Sequence, residues 1–403
     1  MRRIISFLLL LLLIAAVLRV DFFFTVVYFF LAVVVLARLW LRRGSEQLQV
    51  ERRFAPRAFA GDRLDVELCV RNRGWLPVPW LELYESVPPN IQSTPFQRRV
   101  LSLGPHEEQP VRYVVHCRRR GYYTLGPATV HTGDLLGIAR RDLTRAAAEQ
   151  LIVYPRVIPL DRLGLPTHSP LVALPARAPL FEDPTRIVGV RDYRRGDSPR
   201  RMHWPATART GRLVVKRYQP AIARETLICL DLDREAYGAH RWHDATELAI
   251  VVAASLANHV IVREGLPAGL LTAARDPLAG GANEPTRFLL PPRAERAHLI
   301  SILEVLARVE PTARDGRDDG EVGDFADVLR RARAGLAWGT TLTVITGRET
   351  AELRGTLLAL ERAGFVVALI LVQPPMATTG ALPSGPGIAV HRVWRDEDLG
   401  RLG

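Results

Sequence analysis

The chain has 403 residues, 48% of them hydrophobic and 24% charged, with a formal net charge of +12. That length exceeds one ordinary core and predicts two or three domains, and the apolar content excludes a mainly disordered chain. The positive balance would normally point to nucleic acid or anionic lipid. Of the 54 basic residues, however, only Lys216 is lysine, a bias spread over the whole chain, so no nucleic-acid partner is expected from charge alone. The three cysteines, Cys69, Cys117 and Cys229, lie in or beside apolar runs without zinc spacing and read as buried free thiols of a reducing compartment.

Residues Ile4 to Leu18 are almost wholly apolar, Arg19-Val20-Asp21 interrupts, and Phe22 to Leu41 form a second run with one late charge, Arg38. About twenty residues at about 1.5 Å each match a hydrocarbon core of about 30 Å. Together the runs predict a transmembrane helical hairpin over residues 1–43. Arg2 and Arg3 before it, and Arg38, Arg42 and Arg43 at its end, predict that both flanks and the soluble domains lie in the cytoplasm. No small-residue cleavage site precedes the second run, which disfavours a signal peptide followed by an anchor.

Residues 44–155 read as short strands. Val66, Leu68 and Val70 alternate with polar neighbours, Asn72-Arg73-Gly74 is a turn, and further runs lie at Trp80–Tyr84, Val111–Val115, Tyr122–Leu125, Thr129–His131 and Leu151–Tyr154. The pattern predicts an all-β, immunoglobulin-like sandwich, without the Cys-Trp-Cys spacing of a true immunoglobulin domain. Residues 156–188 are proline-punctuated and read as a linker or strap.

From Gly189 to Tyr218 nine basic residues surround two acids, and Tyr193, Trp204 and Tyr218 are threaded among them. Gly196-Asp197 and Thr210-Gly211 are turn dipeptides, and Leu213-Val214-Val215 is a β run. The segment predicts an ordered, guanidinium-rich loop and strand with Trp204 as its buried apolar pin. It holds no paired base, nucleophile or metal ligand. Two readings stay open: a structural loop whose arginines clamp carboxylates, or a binding surface.

The period then changes. Strands are predicted at Thr226–Asp231, Ala268–Ala273, Thr341–Thr346 and Val366–Val372. Helices are predicted from a capping box at Asp244-Ala245-Thr246-Glu247 to about Arg263, and at Ala294–Arg308, Asp324–Ala334 and Thr350–Ala363. Alternation of this kind predicts an α/β, doubly wound parallel sheet over 220–375, followed by a tail at 376–403.

Several motifs carry a family resemblance. Arg191, Tyr193, Gly196, Asp197, Arg200, Arg201, Trp204, Ala208, Arg209 and Gly211 resemble the signature of the domain of unknown function 58 (DUF58) family, and a weaker match lies at Arg119–Pro127 and Gly133–Gly137. His203 and Pro205 stand where that family commonly has Asp and Lys. The resemblance implies that 220–375 is similar to a von Willebrand factor type A domain, and it implies a partner, a MoxR-type AAA+ ATPase, in assembly or chaperone-like roles.

Type A domains hold Mg²⁺ through Asp-x-Ser-x-Ser, a distant Thr and a second Asp. Here Asp231, Asp233 and Glu235 occupy the first element, both serines are acidic residues, and Thr346-Gly347 ends the later strand without an aspartate. The expectation is a degenerate site, neutralised by Arg234 or the signature arginines, with no cofactor and Mg²⁺ as the sole candidate. No Walker-type loop and no catalytic residue can be nominated. The sequence therefore predicts a membrane-anchored, non-enzymatic scaffold or adaptor. The alternatives are a binder of anionic ligands (lipid headgroup or nucleic acid) through the arginine segment, and a metal-dependent adhesion or hydrolase site.

Overall fold

The computed structural model describes residues 21–91, 98–134, 140–159, 182–193, 202–220, 225–238, 241–278, 285–312, 324–337, 339–374 and 388–395. The first apolar run, Ile4 to Leu18, lies outside them. The chain divides into two units, Met1–Arg156 and Val157–Gly403.

The described residues of the first unit begin with helix α1 (Asp21–Glu46), which carries the second apolar run. Ten strands follow: β1 (Leu48–Arg53), β2 (Arg57–Phe59), β3 (Arg63–Asn72), β4 (Val78–Glu85), β5 (Arg98–Leu103), β6 (Glu108–His116), β7 (Gly121–Leu125), β8 (Ala128–Gly133), β9 (Arg140–Ala146) and β10 (Glu149–Tyr154). They form three sheets, ordered β1-β3-β6, β2-β10-β7 and β5-β4-β8-β9. All three contribute to one core, through Val66, Leu68 and Val70 of β3, Leu81 and Leu83 of β4, Val111 and Val115 of β6, Val130 of β8, and Leu151 and Val153 of β10. The period-two pattern of β3 puts these residues inside because successive side chains point to opposite faces.

One buried guanidinium joins the three sheets. Arg52 of β1 donates to Glu85 Oε1 at the end of β4 from Nε (3.1 Å) and Nη2 (2.7 Å). Its Nη1 donates to Glu149 Oε1 at the start of β10 (2.9 Å) and to the Ala147 carbonyl (2.8 Å). Both the Arg52 and Glu85 side chains are fully buried. Burial pushes the Glu85 carboxyl above its ordinary value against the pull of Arg52. Gly126, at φ +91°, leaves room for the guanidinium, since a Cβ there would collide with Arg52 Nη2.

Helix α1 is long and apolar enough to cross a membrane, and most of its length is exposed. Its C-terminal turn is held by the strands. Arg145 donates to the Ser45 carbonyl, Arg141 donates to Ser45 Oγ (3.0 Å) and the Arg42 carbonyl (3.4 Å), and Trp40 Nε1 donates to the Pro77 carbonyl (3.1 Å). Guanidiniums at this end satisfy carbonyls that the helix leaves unpaired and complement its dipole.

The second unit contains the hairpin β11 (Glu182–Asp192) and β12 (Val214–Pro220) with the short helix α2 (Trp204–Thr210) between them. A six-stranded sheet follows, built from β13 (Thr226–Asp231), β14 (Ala268–Arg275), β15 (Pro285–Arg293), β16 (Thr341–Thr346), β17 (Val366–Val372) and β18 (Ala389–Val393), in the order β15-β14-β13-β16-β17-β18. Only β15 runs antiparallel to its neighbour. Helices α3 (Trp242–Asn258) and α4 (Arg296–Arg308) pack together on one face; α5 (Phe325–Ala332) and α6 (Ala351–Arg362) pack on the other, over Leu227, Cys229, Val344 and Leu369. Helix α3, with the turn that continues it to Arg263, also matches a membrane crossing in length and composition, but most of it is buried among these elements.

Three expectations are corrected, and strand β15 adds to the predicted set. Part of the proline-rich stretch is strand β11, with bulges that accommodate Pro184. The tail supplies β18, which pairs in parallel with β17 and covers its edge. Strand β15 continues the sheet past Arg275. Helix α3 begins at Trp242, two residues before the expected capping box. Arg241 sits at its cap with no side-chain bond, and Thr246 Oγ1 bonds back to the His243 carbonyl (3.0 Å). Trp242, the first residue of the helix, has its ring 3.8 Å under the Arg234 guanidinium.

Arg52→Ala is expected to destabilise the first unit by about 3–5 kcal/mol, because it leaves Glu85 buried without a cation. The double variant Arg52→Met with Glu85→Met should unfold at a higher temperature than the single one. Thermal unfolding of the detergent-solubilised chain distinguishes the two.

Candidate functional site

The arginine-rich segment is a hairpin with a capped helix at its end. Strands β11 and β12 pair antiparallel, with Arg191 opposite Val215 and Asp192 opposite Val214. Beyond the strands, the Tyr193 amide donates to the Leu213 carbonyl (2.9 Å) and the His203 amide to the Val214 carbonyl (2.8 Å). His203 Nδ1 accepts from the Ala206 amide (3.0 Å), so the ring takes the helix-capping role that Asp would fill. With Nδ1 as acceptor the ring proton rests on Nε2. Pro205, in the first turn, needs no hydrogen-bond acceptor there. Gly211 closes α2 in the left-handed conformation at φ 66°.

Trp204 is not the expected pin. It is 64% exposed, and α2 has no buried residue. The apolar anchors are Val214 and Val215, both buried on β12. Val190, Tyr193, Trp204 and Leu213 remain exposed on the hairpin together with Arg191, Ala208, Arg209, Gly211 and Arg212. Gly196, Asp197, Arg200 and Arg201 lie outside the described residues. The exposed face can stack on, or pair with, a planar or anionic group. The sequence marked Leu213 only as part of a β run and Val190 not at all, because it gives no sign of the face on which a short strand lies.

The acidic corner is a different construction. Asp231 ends β13, where the strand order turns from β14 on one side to β16 on the other, the place where α/β sheets open a crevice. It is buried. Its Oδ1 accepts from the Asp233 amide (3.1 Å), its Oδ2 accepts from Thr346 Oγ1 (2.8 Å), and its carbonyl accepts from the Tyr237 hydroxyl (2.6 Å). Asp233 caps a single helical turn by accepting from the Glu235 amide (3.1 Å), and Glu235 is exposed. Among the described residues, no three His, Cys, Asp or Glu side chains gather as a metal site.

Both oxygens of Asp231 already accept from neutral donors, and burial raises its carboxyl from 3.8 to about 6, with Asp233 and Asp324 adding to the rise. Of the neutralising arginines expected from the sequence, Arg234 stacks on Trp242, and Arg194, Arg195, Arg200 and Arg201 lie outside the described residues. Thr346, Tyr237 and Asp324 complete the corner. Gly347 is required beside it, since a Cβ would overlap Tyr237 and the Ala236 carbonyl. A threonine ending a wholly buried strand was the available signal for Thr346.

The cysteines offer no nucleophile. All three are buried and free, and burial pushes their thiols up, Cys117 to about 11.

Residues 189–378 match the family described as protein of unknown function DUF58. The uncharacterized protein YeaD of Bacillus subtilis (strain 168) is 23% identical over 222 residues, which are 54% of this chain and 53% of that protein. The chain thus spans about half the length of the curated relative it matches. Among solved structures, the CARDB domain of the PF1109 protein from Pyrococcus furiosus is 20% identical, covering 26% of this chain and 91% of that one, with a TM-score of 0.21. A cohesin module from a Clostridium perfringens family 33 glycoside hydrolase is 13% identical, covering 27% of this chain and 98% of that one, with a TM-score of 0.20.

Two outcomes follow. Trp204→Ala should change thermal stability by less than about 0.5 kcal/mol, as at an exposed site, whereas Val215→Ala should cost about 2 kcal/mol through lost burial; calorimetry of both variants checks this. Asp231, held protonated in the fold up to about pH 6, contributes stability that is fully present below about pH 4 and is lost as pH rises through about 6. Relative to Asp231→Asn, the wild type should therefore gain up to about 3 kcal/mol between pH 8 and pH 4. Parallel melting curves across that range would contradict the assignment.

Proposed function

We propose that the protein is a membrane-anchored scaffold without enzymatic activity of its own, working with a MoxR-type AAA+ ATPase in assembly or chaperone-like roles. The observation that carries this reading is the hairpin. A rigidly hydrogen-bonded β11–β12 ribbon and a capped helix hold Tyr193, Trp204 and Arg209 out to solvent, where they stabilise no core. Exposed aromatics among guanidiniums are the composition of protein-interface anchors. The partner is the one that the resemblance of the signature implies.

The α/β unit is read as von Willebrand factor type A-like, on the support of its strand order and single antiparallel edge, and the β-rich unit as an immunoglobulin-like sandwich. A second crossing before α1, with both units in the cytoplasm, rests on the arginines flanking the apolar runs. The second reading, an anionic ligand on the hairpin, draws on the same exposed guanidiniums.

The test compares the full chain in nanodiscs with the double variant Trp204→Ala, Arg209→Ala, each incubated with the MoxR-type ATPase of the same cell. The wild type should bind it, and the variant should lose at least tenfold in affinity at an unchanged melting temperature. Equal binding by both would remove the hairpin as the partner surface. A steep salt dependence with polyphosphate or nucleic acid, and none with the ATPase, would favour the anionic ligand.

A further inference from the structure

A second indole is held out to solvent in the first unit. Trp75, in the loop between β3 and β4, is 70% exposed. The loop around it is fixed. Asn72 is fully buried, and its Nδ2 donates to the Leu76 carbonyl (2.8 Å) and the Gly104 carbonyl (2.8 Å), while its Oδ1 accepts from the Gly74 amide (2.9 Å). The Arg73 amide donates to the Gln47 carbonyl (3.0 Å) and the His106 amide to the Gly74 carbonyl (3.2 Å). Leu76 turns inward and is buried. A mobile loop would let an indole fold back onto apolar surface; this one does not.

The position of the loop along α1 is set by a hydrogen bond. The Trp40 indole, 39% exposed, donates to the Pro77 carbonyl at 3.1 Å, so Pro77 lies at the level of Trp40, and Trp75, two residues before it, is within about 7 Å of Pro77 along the chain. Trp40 stands about 27 Å along the helix from Phe22, at about 1.5 Å per residue. That is close to the edge of a hydrocarbon core of about 30 Å. Tryptophan favours that depth because its ring is apolar and its N–H is polar. Arg43 and Arg73, both exposed, carry positive charge just beyond it.

We propose that the β3–β4 loop, Arg73–Pro77, seats the first unit on the phospholipid interface of the bilayer that α1 crosses. Trp75 enters the headgroup–acyl boundary, and Arg43 and Arg73 meet lipid phosphates. The occupant follows from continuity: the loop is bonded to the last apolar turn of α1 and to the residue that leaves it. This inference rests on the reading of α1 as a membrane anchor. With the helix fixed at its C-terminal end by Arg141 and Arg145, and the loop on the lipid, the β-rich unit stands on the membrane at two points and does not swing on a tether.

The test uses the full chain in phospholipid vesicles, carrying one environment-sensitive fluorophore at Trp75→Cys, at Arg63→Cys or at Leu36→Cys; the native cysteines are buried. Arg63 begins the strand that Asn72 ends, about 30 Å away. With nitroxide on the lipid headgroup, position 75 should be quenched at least twofold more than position 63. Equal quenching at 75 and 63, with position 36 quenched by nitroxide on the acyl chain, overturns the seating of the loop and leaves the anchor standing. An unquenched position 36 overturns the anchor, and the seating with it.

Discussion

The first unit depends on a charge that has no access to water. Its three sheets are three or four strands wide, too narrow for any one of them to enclose a core. Arg52 crosses between them, binding Glu85 from one sheet and Glu149 and the Ala147 carbonyl beside another. A guanidinium suits this place because its donors form a rigid, planar fork that reaches several acceptors at once. Such a pair adds little net stability over an apolar substitute, but it penalises arrangements in which the sheets slide, since each would strand a buried charge. Glycine at position 126 is a direct consequence, because any side chain there would occupy the guanidinium's space.

What the sequence revealed follows the depth of burial. Strands β13, β16 and β17 are legible from end to end, because each is an apolar or threonine run buried on both faces and bounded by polar residues. Strands β9, β15 and β18 are not. Their runs, RRDLTRA, PTRFLLPPR and AVHRV, lie at or near sheet edges where charge and proline are tolerated, so neither alternation nor apolarity marks them. Arg52 could not be told from Arg53 beside it; only the pleat decides which of the two points inward. Trp204 was misplaced for a related reason. An indole announces apolar area, but α2 has no inward face to take it.

The acidic corner shows how a position can keep its residue and change its physics. Asp231 sits where a parallel sheet can present a ligand, yet both of its oxygens are turned to Thr346 and to the backbone of the turn that follows. Tyr237 and Gly347 close over it. Burial and acidic neighbours favour the protonated carboxyl here and outweigh the two donors, which favour the ionised form. The corner therefore stitches β13 to β16 across the point where the sheet reverses its order. The sequence displays the aspartates but not this burial, which comes from Tyr237 and Thr346, the latter 115 positions away.

The positive charge of the chain has to be divided by use before it can argue for a partner. Arg52 is buried among carboxylates, Arg141 and Arg145 cap α1, Arg234 lies on Trp242, and Arg308 pairs with Asp276 and lies over Phe288. These guanidiniums do the work of packing and helix capping, which their flat, weakly hydrated heads allow and an ammonium would not. The net charge of +12 therefore does not by itself mark a place where a polyanion could bind. Much of what bears on recognition is local: Arg191, Arg209 and Arg212 stand exposed on one hairpin among Tyr193 and Trp204. A nonspecific polyanion binder needs charge spread along a track. Among the described residues, the guanidiniums stand beside exposed rings on a hydrogen-bonded ribbon, an arrangement in which rings would supply contact area and charges orientation to the proposed protein partner.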